Sequence, residues 1–579
     1  MSNVTTRIRG LSADKRARLA RLLQKKLKKS QNKQPLDGEY DVVILGGGLA
    51  GATLAIQLKQ ARPETSILVA EKRQHPVPEA AFKVGESTVE LGSYYLREVL
   101  GLAEHIETCQ LPKAGLRYFF RAGDNSDITQ RLEFGVISWP MVPSYQLDRG
   151  RFENMLREEN LKLGVTYWDA CKVQQVSLDS PKHVVTLERQ TKVDQTNEQV
   201  TVSARWVIDA SGRAGILKRQ LGLTEKVAHD ASAVWFRIDD KIDVTQWSED
   251  ENWRGRVPDG LRWLSTNHLM GRGYWVWLIP LPSGATSVGI VADTTLHPHK
   301  QMNRFERALA WLYQHEPQCA KAIDEKREHL QDFHALKHYA HGCQSVFSTQ
   351  RWSLTGEAGV FVDPFYSPGT DFIGINNTFI TQLILKDFAG FFARLEEYVE
   401  PYNRIFLSTF KSYLAIYEGQ YPLMGNVQVM LAKIVWDFAI YWGVTGLLFF
   451  HHKSYDLYFL DSVGAALTRF NNLNTRMQLF FREWDQLPPE SQEGHGLLID
   501  YMTIGFLEDL HCGLKAGLND NALQAKFIKN INLLESIARE IFAEAQKRHH
   551  MQAWQNDPFF SSETRPKRDV SADLNKIWL

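Results

Sequence analysis

The chain has 579 residues, enough for two or three domains each with its own core, and its 67 basic side chains are matched by 67 acidic ones. That balance gives no global field to attract nucleic acid, and hydrophobic and charged fractions of 44% and 23% are those of a globular enzyme. Five scattered cysteines (Cys109, Cys171, Cys319, Cys343 and Cys512) form no CxxC pair, which argues for reduced thiols in a cytoplasmic setting and against a zinc site. The start has no apolar core of a secretory signal, so none is expected.

Residues 1 to 37 form a basic extension, in which eleven Lys or Arg face only Asp14 and Asp37. Leu11, Leu19, Leu22, Leu23 and Leu27 fall near one helical stripe behind Ser12, a candidate cap. Next comes the most specific signal in the chain. Asp41 to Leu45 reads as a buried strand, Gly46, Gly48 and Gly51 as the turn that admits a pyrophosphate, and Glu71, ending the strand Ser66 to Ala70, as the acceptor of ribose hydroxyls. The following helix points its N-terminus at the phosphates. Asp148 to Leu163 is expected to be a helix and Cys171 to Val207 a set of strands. Trp206 to Arg213 reads as a strand entering a small-residue turn, and Gly356 to Pro364 as a strand ending in the carboxylate of Asp363. No second strand–GxGxxG–helix unit follows, so a dedicated NAD(P)H domain is not expected.

Residues 231 to 293 are strand-rich, with Trp275 and Trp277 on alternate positions and Pro280 closing the segment. A turn through Asp363, Gly369 and Thr370 precedes a helix expected from Ile373 onward; its amides form a nest suited to an anion. Helical periodicity dominates from residue 388 to the polar tail after Asn556. The apolar run Ile434 to Phe450 is broken by Asp437 and is short for a bilayer, so a buried or interface helix is expected rather than a transmembrane anchor. The Tyr413 to Tyr421 stretch is rich enough in aromatics to form a lid or docking surface.

The three nucleotide-facing segments together resemble those of the flavoprotein monooxygenase superfamily. The resemblance implies an α/β, FAD-binding Rossmann-like domain over residues 38 to 387, an inserted antiparallel sheet over about 231 to 293 roofing the active site, and a helical region over 388 to 579. Ala50, Lys72, Ser87, Arg149, Asp363 and Gly369 would join the glycines and Glu71 on the FAD.

The Trp275-Val276-Trp277-Leu278-Ile279-Pro280 segment narrows the likeness: the chain resembles the flavin-dependent halogenases over residues 40 to 385, and more closely their phenol and pyrrole branch than the tryptophan-specific one, because Tyr366 stands where the latter has a glutamate. It also resembles the halogenases of cyanobacterial tyrosine-containing peptide pathways. The likeness implies that FADH2 and O2 oxidise chloride or bromide, held at Gly369 and Thr370, to hypohalous acid. Trp275 and Trp277 would keep substrate from the flavin, and Lys113, at the start of a strand entering the substrate pocket, would hold the oxidant. Burial lowers an ammonium pKa, making both forms of Lys113 reachable near neutrality. Lys83 is the rival lysine, better read beside the cofactor, and Glu86 or Asp371 is a candidate base without a definite place.

The residues 11 to 23 resemble segments joining modules of nonribosomal peptide synthetases. The partners implied are a separate flavin reductase and a phenolic, tyrosine-derived ring, free or on a carrier protein or peptide. An aromatic hydroxylase on the same fold and a non-catalytic flavin-binding scaffold are the alternatives.

Overall fold

The computed structural model describes residues 37–80, 83–179, 181–190, 197–487, 496–549, 554 and 569–578. The basic extension therefore lies outside the described residues, apart from Asp37.

The first strand, Gly38–Leu45, runs in the middle of a seven-stranded sheet. It pairs in parallel with Ile67–Ala70 on one side and with the long strand Asn197–Asp209 on the other. Val42, Val43, Ile44 and Leu45 are completely buried, as the unbroken apolar run of a parallel strand covered on both faces requires. Thr166–Trp168 and Trp352–Leu354 extend the parallel part, and His183–Gln190 and Cys171–Ser177 fold back antiparallel at the far edge. The helix Leu49–Ala61 packs on this sheet, as does the expected helix, here Arg149–Lys162.

A second sheet of eight strands is built around the expected insertion, Ala231–Ile238, Thr266–Gly271, Tyr274–Pro280 and Thr286–Asp293. It also recruits Leu330–Lys337, Leu116–Phe119, Glu133–Phe134 and Leu498–Ile499 from elsewhere in the chain. Alternation along the strands divides its faces. Val234, Phe236, Val276, Leu278, Val288 and Ile290 pack with Trp311, Leu312 and Ile323, contributed by two covering helices. Trp235, Trp275, Trp277 and Ile279 turn to the main core and the large cavity.

The region after Phe388 is mainly helical, with long helices Glu396–Tyr417, Val427–Ile440, Gly464–Trp484 and Asp520–His549. It is not wholly so, since Leu498–Ile499 pairs in parallel with Glu133–Phe134. The apolar stretch Val427–Phe450 is long and hydrophobic enough to cross a membrane, yet 83% of its most apolar window is buried within the fold. Lys433 and Asp437 explain the interior assignment: they pair at 2.9 Å, and Gln478 and the Tyr366 hydroxyl complete the network. Part of the polar tail is also packed, because Val570, Leu574 and Ile577 are buried and the Asp573 carboxylate accepts the N–H groups of Gly505 and Phe506.

Candidate active site

A cavity of about 720 Å3 lies between the two sheets, in the size range of roughly 300–1,000 Å3 usual for ligand pockets. Gly46, Gly48, Ala50, Glu71, Lys72, Ser87, Arg149, Asp363, Gly369 and Thr370 all line it. Gly51 does not line it; a Cβ there would stand 2.0 Å from the Gly46 carbonyl oxygen, so its hydrogen lets the helix close on the turn. Gly46 sits at a φ of +111°, where a side chain would also strike the Ala210 carbonyl at 2.5 Å. Glu71 is buried, accepting the Gly47 N–H at 2.7 Å and the Arg73 N–H at 2.9 Å, and so stiffens the glycine turn beside the cavity. Lys83 and Arg149 both pair with Glu153, which their charges hold below the usual carboxylate range against its burial.

Two expectations about the loop after residue 355 change. Gly356–Ala358 is a 3-10 turn rather than the start of a strand, because Gly356 takes a φ of +61° and packs on Ala50; only an isolated bridge from Phe361 to His341 remains. The helix expected from Ile373 begins at Gly369, with Pro368 at the N-cap position and no side-chain cap. The first-turn N–H groups of a helix lack intrahelical partners; here they belong to Gly369, Thr370 and Asp371, of which the first two line the large cavity. The Asp363 carboxylate is taken up by His229 at 2.7 Å, Tyr421 at 2.7 Å, Tyr339 and the Phe365 N–H.

Trp275 and Trp277 line the large cavity while being almost fully buried. Trp275 donates its indole N–H to Tyr421 at 2.9 Å and Trp277 to Ser287 at 3.2 Å. A Cβ at Gly289 would fall within 2.2 Å of the Trp277 ring, so a glycine on the neighbouring strand makes room for it. From Trp277 an aromatic wall continues through Trp275, Phe365 and Tyr366, with successive ring centroids 5.6, 5.2 and 4.6 Å apart.

Tyr366 at the end of that wall faces a second, smaller cavity of about 60 Å3. At roughly 10–15 Å3 for one water, it has room for a few waters or part of a single ring. Lys113, Glu90, Asp371 and Asp437 line it together with Tyr413, Tyr417, Tyr441, Trp442 and Tyr501. Lys113 ends the short strand Leu111–Lys113 instead of starting one, because Ala114 and Gly115 turn the chain into Leu116–Phe119; Gly115 takes a φ of +71°, with Tyr501 packed so close that a Cβ would meet its hydroxyl at 2.3 Å. The Lys113 side chain is buried, 2% exposed, and donates to Ser87 Oγ at 2.8 Å and the Thr88 carbonyl at 2.7 Å. Burial lowers its pKa to about 7 against the opposing pull of Glu90 and Asp371.

The two cavities meet without merging. Pro368 lines both, and Ser87 lines the larger one while accepting the Lys113 bond. The aromatic stretch around Tyr413 to Tyr421 is thus interior wall rather than exposed surface. Glu86 lies in the large cavity, bound to Arg237 at 2.8 Å, whereas Asp371 lies with Lys113. Sequence reasoning did not find Glu90, Tyr441, Tyr501 or a site role for Asp437, whose contacts depend on chain crossings of tens to hundreds of residues.

Residues 39–340, just over half of the chain, match the FAD binding domain family. The flavin-dependent halogenase chlA of Dictyostelium discoideum is 24% identical over 437 residues, covering 70% of each chain. A 1H-pyrrole-2-carbonyl peptidyl-carrier-protein chlorinase of Pseudomonas fluorescens is 28% identical over 357 residues, or 58% of this chain and 73% of that one. Among solved structures, the halogenase PltM in complex with phloroglucinol and FAD superposes with a TM-score of 0.60 at 18% identity, covering 87% of this chain and 96% of that chain.

Proposed function

We propose, for a chain that belongs to the FAD binding domain family and within it to the flavin-dependent halogenases, that it halogenates a phenolic ring through Lys113. The observation that carries this reading is the division of the interior into a large glycine-lined cavity and a small aromatic one that holds a buried amine. The glycine turn, the polar mouth around Lys72 and Arg149 and the open space beside Gly369 suit FAD in the larger cavity. When bound there in reduced form, FAD supplies the reaction of O2 with chloride or bromide that yields hypohalous acid.

The protein's part is separation and delivery. Gly369 and Thr370 offer helix N-terminal amides to the halide, and the wall of Trp277, Trp275, Phe365 and Tyr366 stands between the flavin cavity and the ring to be modified. Lys113, in a site from which bulk water is excluded, holds the oxidant by a hydrogen bond as an ammonium or as a haloamine when neutral; a pKa of about 7 makes both forms available. The small cavity accepts one ring end, which suits a hydroxyphenyl group whose remainder stays outside. A phenol as guest is in keeping with the phloroglucinol bound by PltM, and a carrier-tethered one with the carrier-protein substrate of the Pseudomonas relative. A separate reductase would supply reduced flavin in the cytoplasm.

The test incubates the full chain with a flavin reductase, NADH, O2 and bromide against free and carrier-bound hydroxyphenyl and pyrrole substrates. A bromine isotope doublet on a phenolic product is the expected result. Oxygen added to the ring irrespective of bromide would mark a hydroxylase and overturn the reading, and bromination of pyrroles alone would overturn its phenolic part.

A further inference from the structure

Asp371 is a buried carboxyl that faces the Lys113 cavity. It is 1% exposed and lines the Lys113 cavity from the first turn of the helix Gly369–Phe388. Its Oδ1 accepts the Gly92 N–H at 2.7 Å, and the Tyr441 hydroxyl lies near the carboxyl, but Oδ2 has no hydrogen bond of standard geometry from a described residue and is open to the cavity side. A buried carboxylate oxygen without a donor is costly, and the cavity is where a donor can come from. Of the other acids nearby, Glu90 faces His511 at 3.4 Å and Asp437 is enclosed by Lys433, Gln478 and Tyr366; Glu86, whose Oε2 likewise has no hydrogen bond of standard geometry from a described residue, pairs with Arg237 and lines the larger cavity away from Lys113.

We propose that Asp371 is the catalytic base that takes up the hydroxyl proton of the ring held against Lys113, an assignment that rests on the phenol-halogenase reading above. The phenol O–H bond breaks, the proton goes to Oδ2, and the electron pair left on oxygen enriches the ring. A ring carbon then forms its bond to the halogen of the hypohalous acid as the O–halogen bond breaks; the departing hydroxide takes a proton from the Lys113 ammonium and leaves as water. The halogen is reduced by two electrons and the ring carbon oxidised by two. The ring C–H proton returns to the Lys113 amine and the Asp371 proton to the phenolic oxygen, so both side chains end as they began.

The exchange runs from the minority form in which Asp371 is ionised while Lys113 is protonated. Burial raises the Asp371 pKa to about 8, with Tyr441 and the Gly92 N–H opposing, the Glu90 charge adding to the rise and Lys113 lowering it. Glu90, Lys113, Tyr441 and Tyr413 are the titratable groups that face it. A base near 8 working with an acid near 7 gives a bell-shaped profile whose two limbs belong to the coupled pair.

The test compares the wild type with Asp371→Asn, which is isosteric and keeps an acceptor for Gly92, and Asp371→Glu. Product is read as bromophenol per hypobromite trapped, across phenols made progressively more acidic by fluorination. The Asn variant is expected to lose about 100-fold on unactivated phenols, to lose the acidic limb of the profile, and to recover as the phenols become ionised before binding; the Glu variant restores part of the loss. An equal defect across the series, or none, overturns the role of Asp371 and leaves the halogenase reading intact. A wild type that forms trapped hypobromite but leaves every phenol untouched overturns both.

Discussion

The two cavities are built from different material. The larger one joins local backbone turns to charged and aromatic side chains: Gly46, Gly48, Gly212, Gly356 and Gly369 present peptide groups, and Lys72, Arg149, Glu86, Trp275 and Trp277 stand among them. The smaller one is walled mainly by side chains, five of them tyrosines, with a lysine and three acids among them. Backbone walls come from local turns, so they tolerate change in the residues behind them and fail only where a Cβ appears. Side-chain walls come from packing between distant segments, and each group in them carries both structure and chemistry.

The sharpest way to separate the two is Lys113→Ala. It removes the amine from the small cavity and leaves the glycine turn untouched. Halogenated product is expected to fall about 100- to 10,000-fold, the span usual for a positioned acid or base, while flavin binding followed by fluorescence stays at the wild-type level. Product at the wild-type rate would erase the distinction between the cavities.

Gly46→Ala is the converse and has a smaller effect. An alanine at a φ of +111° is strained and its Cβ would press on the Ala210 carbonyl, costing about 1–3 kcal/mol. That corresponds to a loss of flavin affinity of about 5- to 150-fold, readable by fluorescence titration, with hypobromite formation recovering as flavin is raised. Unchanged affinity would mean that the turn is not what shapes the flavin site.

The same contrast explains what could be read from the residues alone. Asp41 to Gly51 and Glu71 act within one strand–turn–helix unit, so their spacing specifies their geometry, and all but Gly51 of the residues expected at the cofactor line one cavity. Trp275 and Trp277 were legible as one face of a strand, but their Phe365 and Tyr366 continuation depends on a loop ninety residues on. Lys113 was recognisable by likeness to a family, whereas its place at the end of a strand follows from Gly115 packing on Tyr501, a contact spanning almost four hundred residues. Local rules do not reach that far. The beginning of the helix at Gly369 was misjudged because Ser367, Pro368 and Gly369 carry turn chemistry that serves equally well as a cap and first turn.

The finest test concerns the cost of keeping Lys113 buried. Its folded pKa, lowered to about 7 from 10.5 chiefly by burial, lies below the value in the unfolded chain. The folded state thus binds fewer protons than the unfolded one between about pH 7 and 10.5, and stability contributed by this group rises with pH across that window. The penalty is complete below about 7 and fades toward 10.5. Lys113→Met, similar in length and apolar, removes it. At pH 6.5 Asp371, with its pKa raised to about 8, is mostly neutral in the folded state and loses little with the lysine gone, while Glu90 keeps His511. At pH 10 both acids are ionised, but folded Lys113 is already neutral, so the substitution takes no counter-charge from them. The midpoint of thermal unfolding of Lys113→Met minus that of the wild type is therefore expected to be more positive at pH 6.5 than at pH 10. A difference that does not change with pH would mean that the amine reaches water and that the small cavity is not the dry compartment its walls describe.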